Sequence, residues 1–300
     1  MVPFEKRPLT FEEQLDLLER RGLFIDSRVD ALHHLKHINY YRLSAYFRPF
    51  TVNQKGDEFL PETTFNDGLI LYEFDQRLRM IILTASKRLE VSLRTQIAYH
   101  IAHNYDTFGH LDAELFTSPD DHQLLMATQQ KELERADEEF LAHFKHDYQL
   151  DSPPIWAACE LWSLGLTSRF FSQLKRDQDR KKIARIYGVH ESSLRSFLHH
   201  FTTVRNIAAH HGRLWNRWFT IGMKIPNTEI FNNFSDEPQD ARKIYNTLTM
   251  LIHLMDIIEP QAPFGKELEA LLQLIPKDKH RLMGFPMDWK KRPLWARALA

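Results

Sequence analysis

Residues 65–101 read FNDGLILYEFDQRLRMIILTASKRLEVSLRTQIAYHI, and this stretch decides the fold. Leu69, Tyr72, Phe74, Leu78, Ile81, Ile82, Ala85, Leu89, Leu93, Ile97 and Ile101 recur at helical spacing, which predicts one long scaffold helix. Its polar side carries Arg79, Arg88, Glu90 and Arg94, with Glu90 and Arg94 spaced for an ion pair on one helix face.

Working outward, the flanks are helical as well. Upstream, Thr10 and Glu13 form a capping box that opens a helix from Phe11 to about Arg21, closed by Gly22. A second helix is expected from about Ser27 through His37 and on into Leu43. Tyr40, Tyr41, Tyr46, Phe47 and Phe50 form an aromatic cluster that either packs the N-terminal helices or stacks bases. Residues 51–65, with Gly56 and Pro61, suit a loop or short hairpin.

Downstream, residues 112–151 are acidic around Glu132, Glu134, Asp137, Glu138 and Glu139. Such a segment repels RNA and should face away from it or meet a basic partner. Pro153 and Pro154 interrupt the chain, after which Ile155 to Leu174 reads as a dense apolar helix with Trp156, Trp162, Phe170 and Phe171 in the core. Lys175 to Lys182 reads as a charged turn, either a solvated connector or an RNA-backbone contact. A last apolar helix, Ala241 to Ile258, ends before Pro260 and Pro263. The remaining tail sets Lys277, Lys279, Arg281, Lys290, Lys291, Arg292 and Arg297 against Asp278 and Asp288, a composition suited to salt-dependent contact with phosphates. The expected organisation is all-α: an N-terminal helical extension over 1–64, a helical core over 65–258 and a basic tail over 259–300.

Composition narrows the function classes. The net charge of -1 gives no global attraction to nucleic acid, so any RNA site must be local. A single cysteine, Cys159, excludes an internal disulfide and a cysteine-rich zinc site, and suits a small core position in a reducing cytoplasm. No apolar run reaches bilayer length and no signal-peptide core follows Met1 to Arg7, so a cytoplasmic, unexported protein without membrane contact is expected. The 16 histidines are scattered without metal-ligand spacing, and with 10 glycines there is no phosphate-binding loop; neither metal nor cofactor is expected.

The one stretch that places costly polar groups beside an apolar helix face is Val204 to Arg217. Leu194, Phe197, Leu198, Phe201 and Val204 lead a helix into it. With Arg205 at zero and about 100° per residue, Arg213 falls at about 80°, Asn206 at about 100° and His210 at about 140°. His211 falls on the opposite, apolar arc, where a structural role is expected. Arginine, asparagine and histidine on one arc suit an RNA phosphodiester. Histidine exchanges a proton with a ribose hydroxyl or leaving oxygen, the arginine fork matches non-bridging oxygens, and Asn206 can hold the imidazole or substrate in register. A solvated helix face near a helix end is the alternative.

Arg205 and Asn206 followed by His210 match the arginine-to-histidine motif of the HEPN superfamily of helical ribonucleases. The stretches Arg20 to Leu23, Ile38 to Tyr46, Leu71 to Arg79, Leu89 to Arg94 and Pro153 to Gly165 resemble, in order, one HEPN branch, the Abi-like abortive infection proteins. The resemblance covers roughly residues 5 to 220. It implies a HEPN-type bundle and a metal-independent endoribonuclease acting as a phage-defence toxin, leaving a 2′,3′-cyclic phosphate. Arg205, Asn206 and His210 would be catalytic, with Arg213 and Arg217 supporting RNA contact. On the resemblance alone, Glu90 would orient His210 and Arg94 would add phosphate charge. It also implies a homodimer, and a toxin requires restraint by an antitoxin protein or RNA. The competing expectations are a non-catalytic RNA-binding or sensor module with the same fold, and a helical scaffold that binds protein through its acidic segment.

Overall fold

A computed structural model describes residues 7–52, 57–225, 230–235 and 237–300. Every regular element of more than one bridged pair among these is helical. The chain divides into two compact units, Met1–Arg77 and Leu78–Ala300.

In the first unit, α1 (Phe11–Arg20) opens on the expected capping box: Glu13 N–H donates to Thr10 Oγ1 (3.1 Å) and Thr10 N–H to Glu13 Oε2 (2.8 Å). Gly22 closes it at φ +90, a conformation glycine adopts without a Cβ clash. The continuous second helix is instead two, α2 (Arg28–His37) and α3 (Tyr40–Phe47). Ile38 is extended, and Asn39 caps the new helix by accepting from Tyr41 N–H at 2.8 Å, a competition that periodicity does not reveal. Tyr46 and Phe47 are core residues while Tyr41 stands exposed, so the aromatic cluster mainly packs the helices. Tyr46 also donates to buried Asp75 (2.6 Å). Among the described residues between 51 and 65 an antiparallel bridge joins Thr51 to Phe59; Gly56 lies outside the described residues.

The long helix, α4 (Phe65–Asn104), runs from the first unit into the second. In the second unit Leu78, Ile82, Ala85, Leu89, Leu93, Ile97 and Ile101 are almost wholly buried. Each buried leucine or isoleucine contributes roughly 1.5–3 kcal/mol. The acidic segment forms α5 (Pro119–Arg135) and α6 (Glu139–Asp147). The single helix expected after Pro154 is broken into α7 (Ile155–Ala158), a short 3-10 turn and α8 (Leu164–Gln173). Ser163 makes the break by capping α8, accepting from Leu166 N–H (3.4 Å). Trp162, Phe170 and Phe171 are buried as expected, but Trp156, on the short α7, is 52% exposed.

Lys175 to Lys182 is no turn: α9 (Asp177–Ile186) begins within it. Arg180 and Asp179, read as solvated, are buried and paired. Arg180 bonds Asp177, Glu191 and the Leu174 carbonyl, while Asp179 accepts from His100 (2.9 Å) and Tyr105 (2.5 Å) of the α4 end. Next come α10 (Glu191–Ala209), packed on α8 and α9, and α11 (Ile244–Ile258).

Residues 259–300 form α12 (Phe264–Leu272), α13 (Lys277–Arg281) and α14 (Pro293–Leu299), which bury Phe264, Phe285, Trp289 and Trp295. Trp295 stacks on Tyr245 and donates to Thr249 (3.0 Å), both on α11. Several cations of this region meet acids: Lys290 with Glu269 (2.6 Å), Arg297 with Asp256 (2.6 Å) and Arg292 with Asp288 (3.2 Å). Asp256 comes from α11, outside the tail, whereas Glu269 belongs to the tail itself, where Glu259, Glu267 and Glu269 add to the acids Asp278 and Asp288. Among the described residues no helix is long and apolar enough to cross a membrane.

Candidate functional site

The α10 helix exists because Leu194, Phe197, Leu198, Phe201, Val204 and Ala208 present one buried face to α8 and α9. Its end is shaped by three backbone bonds. His210 N–H reaches the Asn206 carbonyl (3.0 Å), His211 N–H the Ala208 carbonyl (3.1 Å) and Gly212 N–H the Ile207 carbonyl (2.7 Å). The last two are the Schellman pair, with His210 as C-cap and His211 in the left-handed conformation at φ +58. A Cβ on Gly212 would lie 2.8 Å from Ile207 Cγ2, so glycine is required there by close approach.

This ending corrects one expectation. His211 does not face the core; it is exposed, because helical rotation stops at His210 and a positive φ redirects the next side chain. His210 and Asn206 are exposed and Arg205 is half-buried, its Nη1 donating to Asn206 Oδ1 (3.2 Å). Arg213 folds back on the turn, donating to the carbonyls of Trp215 (3.0 Å) and Asn216 (3.1 Å). Arg217 donates to the Arg213 carbonyl (3.3 Å). Buried Leu214, Trp215 and Phe219 anchor this segment.

On α4, Arg94 bonds Glu90 and the carbonyls of Glu160 (2.8 Å) and Trp162, tying the scaffold helix to the turn before α8. Both side chains are largely buried. Burial holds the Glu90 carboxyl above its ordinary range, opposed by the charges of Arg94 and Arg205 and by the Leu164 N–H. Desolvation thus outweighs the ion pair, and Arg205 of α10 lies within electrostatic reach of Glu90 of α4. Among the described residues no group of three or more His, Cys, Asp or Glu could hold a metal ion.

The polar arc of α10 that holds Arg205 extends beyond the motif. Upstream it carries Arg195 and His199, both exposed, and beyond the turn Trp218 is 52% exposed; the signal for the first two lay in the same periodicity.

Residues 33–216 match the family of Abi-like proteins, more than half of the chain, and the chain belongs to that family. The matched segment contains α10 and the Glu90–Arg94 pair and ends at Asn216, before residues 259–300. Membership points to abortive infection, a phage-defence role. No curated protein and no solved structure matches the chain.

Proposed function

We propose that this protein is a metal-independent endoribonuclease of the HEPN type that acts in abortive infection. The observation that carries the reading is the exposed end of α10. It presents Asn206 and His210 to solvent beside Arg205, whose charge reaches the buried Glu90 of the scaffold helix. His210 takes the proton of a ribose 2′-hydroxyl as that oxygen attacks the adjacent phosphorus. The phosphorus–O5′ bond breaks, O5′ takes a proton from water, His210 gives up its proton to solvent, and the products are a 2′,3′-cyclic phosphate and a 5′-hydroxyl. Arg205 neutralises charge on the non-bridging oxygens. In place of the roles implied by the resemblance, Glu90 and Arg94 act as positioning residues: Glu90, reached by the charge of Arg205 rather than by His210, orients Arg205, and Arg94, taken up by Glu90 and the carbonyls of Glu160 and Trp162 rather than by a phosphate, fixes Glu90. The active form is a homodimer, and an antitoxin protein or RNA restrains it before infection.

The test is cleavage of labelled total RNA and tRNA in EDTA, with product ends identified, comparing wild type with Arg205→Ala and His210→Ala. Cyclic-phosphate ends are expected from wild type, with losses of about 10²–10⁴-fold in both folded variants. RNA binding without cleavage, even under phage infection, would replace this reading by a sensor module. Cleavage that survives both substitutions would place the chemistry elsewhere.

A further inference from the structure

Extended upstream from Arg205, the wheel places Arg195 at about 80° and His199 at about 120°, interleaved with Asn206 at about 100° and His210 at about 140°. All four are exposed, so one polar stripe faces solvent along α10. From His210 to Arg195 it runs about 22 Å.

The chain after the motif returns beside this stripe. Phe219 packs edge-on against His200 (5.4 Å), and His200 Nδ1 donates to the Ile221 carbonyl (2.7 Å). Lys224 N–H donates to Ser196 Oγ (2.8 Å), and its Nζ to Ser192 Oγ (3.2 Å). These contacts step backward along α10 as the chain steps forward, so the segment lies antiparallel to the helix. Across the stripe is α8, where a Cβ on Gly165 would sit 3.5 Å from the Thr202 methyl.

Two features of this region are unexplained by folding. Trp218 stands 52% exposed on the returning segment, as Trp156 does on α7, whereas Trp162, Trp215, Trp289 and Trp295 are buried. From Ser192 to Ile225 the sequence contains no Asp or Glu, yet carries Arg195, Arg205, Arg213, Arg217 and Lys224, in a chain whose 39 cations and 40 acids balance as a whole. Among the described residues Arg195 makes no ion pair. An acid-free strip with an open aromatic face is complementary to a flexible polyanion with unpaired bases, since a duplex hides its base faces.

We propose that the α10 stripe and the returning segment form a track for single-stranded RNA leading away from the scissile phosphate. Trp218 stacks a base, and Arg195, His199 and Lys224 contact the backbone. The proposal rests on the ribonuclease reading of the motif and adds to it the substrate class and the path of the bound strand.

The test uses the full chain and a labelled 2′-O-methyl oligoribonucleotide of mixed sequence, about 12 nucleotides long, which cannot be cut and is within single-strand site sizes. Binding is read by anisotropy and by tryptophan quenching, a signal that comes mainly from exposed Trp156 and Trp218. Trp218→Ala should weaken binding about tenfold and remove most of the quench, and Trp218→Phe should restore most of the affinity. Arg195→Ala should lower the salt dependence by about one phosphate contact. In cleavage assays both alanine variants should raise KM and leave kcat near wild type. If wild type binds and cuts RNA while both variants behave like it, the track is wrong and the nuclease reading survives. Binding weakened as described, but without cleavage by wild type, keeps the track and removes the nuclease. A wild type that neither binds the probe nor cuts RNA overturns both.

Discussion

His211 sits where helix ends usually place glycine, with glycine displaced one position later to Gly212. A non-glycine residue in the left-handed region is strained by roughly 1–2 kcal/mol. Strain of this kind gathers at functional sites when the surroundings enforce it. Here Leu214 and Trp215 are buried just beyond the turn and do so. His211→Gly should therefore raise the melting temperature by about 2–4 °C, for roughly 1 kcal/mol regained in a unit of this size. His211→Ala should not raise it, because alanine keeps the same backbone penalty. An equal rise in both would show that the imidazole, and not the backbone, is the source of strain. The same residue shows the limit of reading a site from periodicity. Arg205, Asn206 and His210 are placed by helical rotation, whereas a reversal of φ after the C-cap leaves no trace in spacing, and the core position expected for His211 was lost.

Elements were legible where burial follows one period for many turns, as in α4 and α10, or where a cap is written locally, as at Thr10 and Glu13. Breaks were not legible where a single polar side chain competes with a continuing helix, as at Asn39 and Ser163. At Lys175 to Lys182 the reverse holds: partners distant in sequence, His100 and Tyr105 for Asp179 and Glu191 for Arg180, allow charged residues to be buried in a helix where composition suggests a turn. Arg94 belongs with these. Spacing alone suggests a solvated pair with Glu90, but the fold also gives it the carbonyls of Glu160 and Trp162. Removing it leaves Glu90 buried beside fewer cations and two carbonyls without their donor, so Arg94→Ala should cost about 3 kcal/mol. Arg94→Lys should rescue little, because an ammonium cannot span the three acceptors as the fork does. The neighbouring Cys159 reports the result. Its buried thiol is pushed up to about 12, and it is the single cysteine of the chain. It should resist thiol reagents in folded wild type and react readily in Arg94→Ala at the same pH. Unchanged reactivity would mean that the turn before α8 holds without the clamp, and that any loss of activity in the variant has another origin.

At the scale of the whole second unit, buried neutral histidines set the response to acid. His110 is fully buried with neither ring nitrogen hydrogen-bonded, and burial, aided by His122, lowers it to about 4. Burial also lowers His200, with a smaller push from the charge of the adjacent His199; His253, where Asp256 opposes the shift and Arg297 adds to it; and His280, where Asp278 opposes it and Lys290 and Lys277 add to it. Three of these rings donate to backbone carbonyls, of Ile221, Tyr187 and Leu272 in turn. In each case the unfolded chain binds the proton more tightly than the folded one. The stability these groups contribute is therefore present above about 6.5 and is lost as pH falls through their lowered folded-state values, about 4 for His110. For His110 alone, lowering from 6.5 to about 4 corresponds to roughly 3 kcal/mol. Stability measured by denaturant unfolding should fall steadily from pH 7 to pH 5, a range in which ordinary carboxylates are still ionised. His110→Leu removes the most strongly displaced of the four, and should flatten that slope while the other histidines retain part of it. A slope identical to that of wild type would show that His110 is protonated or solvated in the folded protein, and that its ring does not drive the acid response.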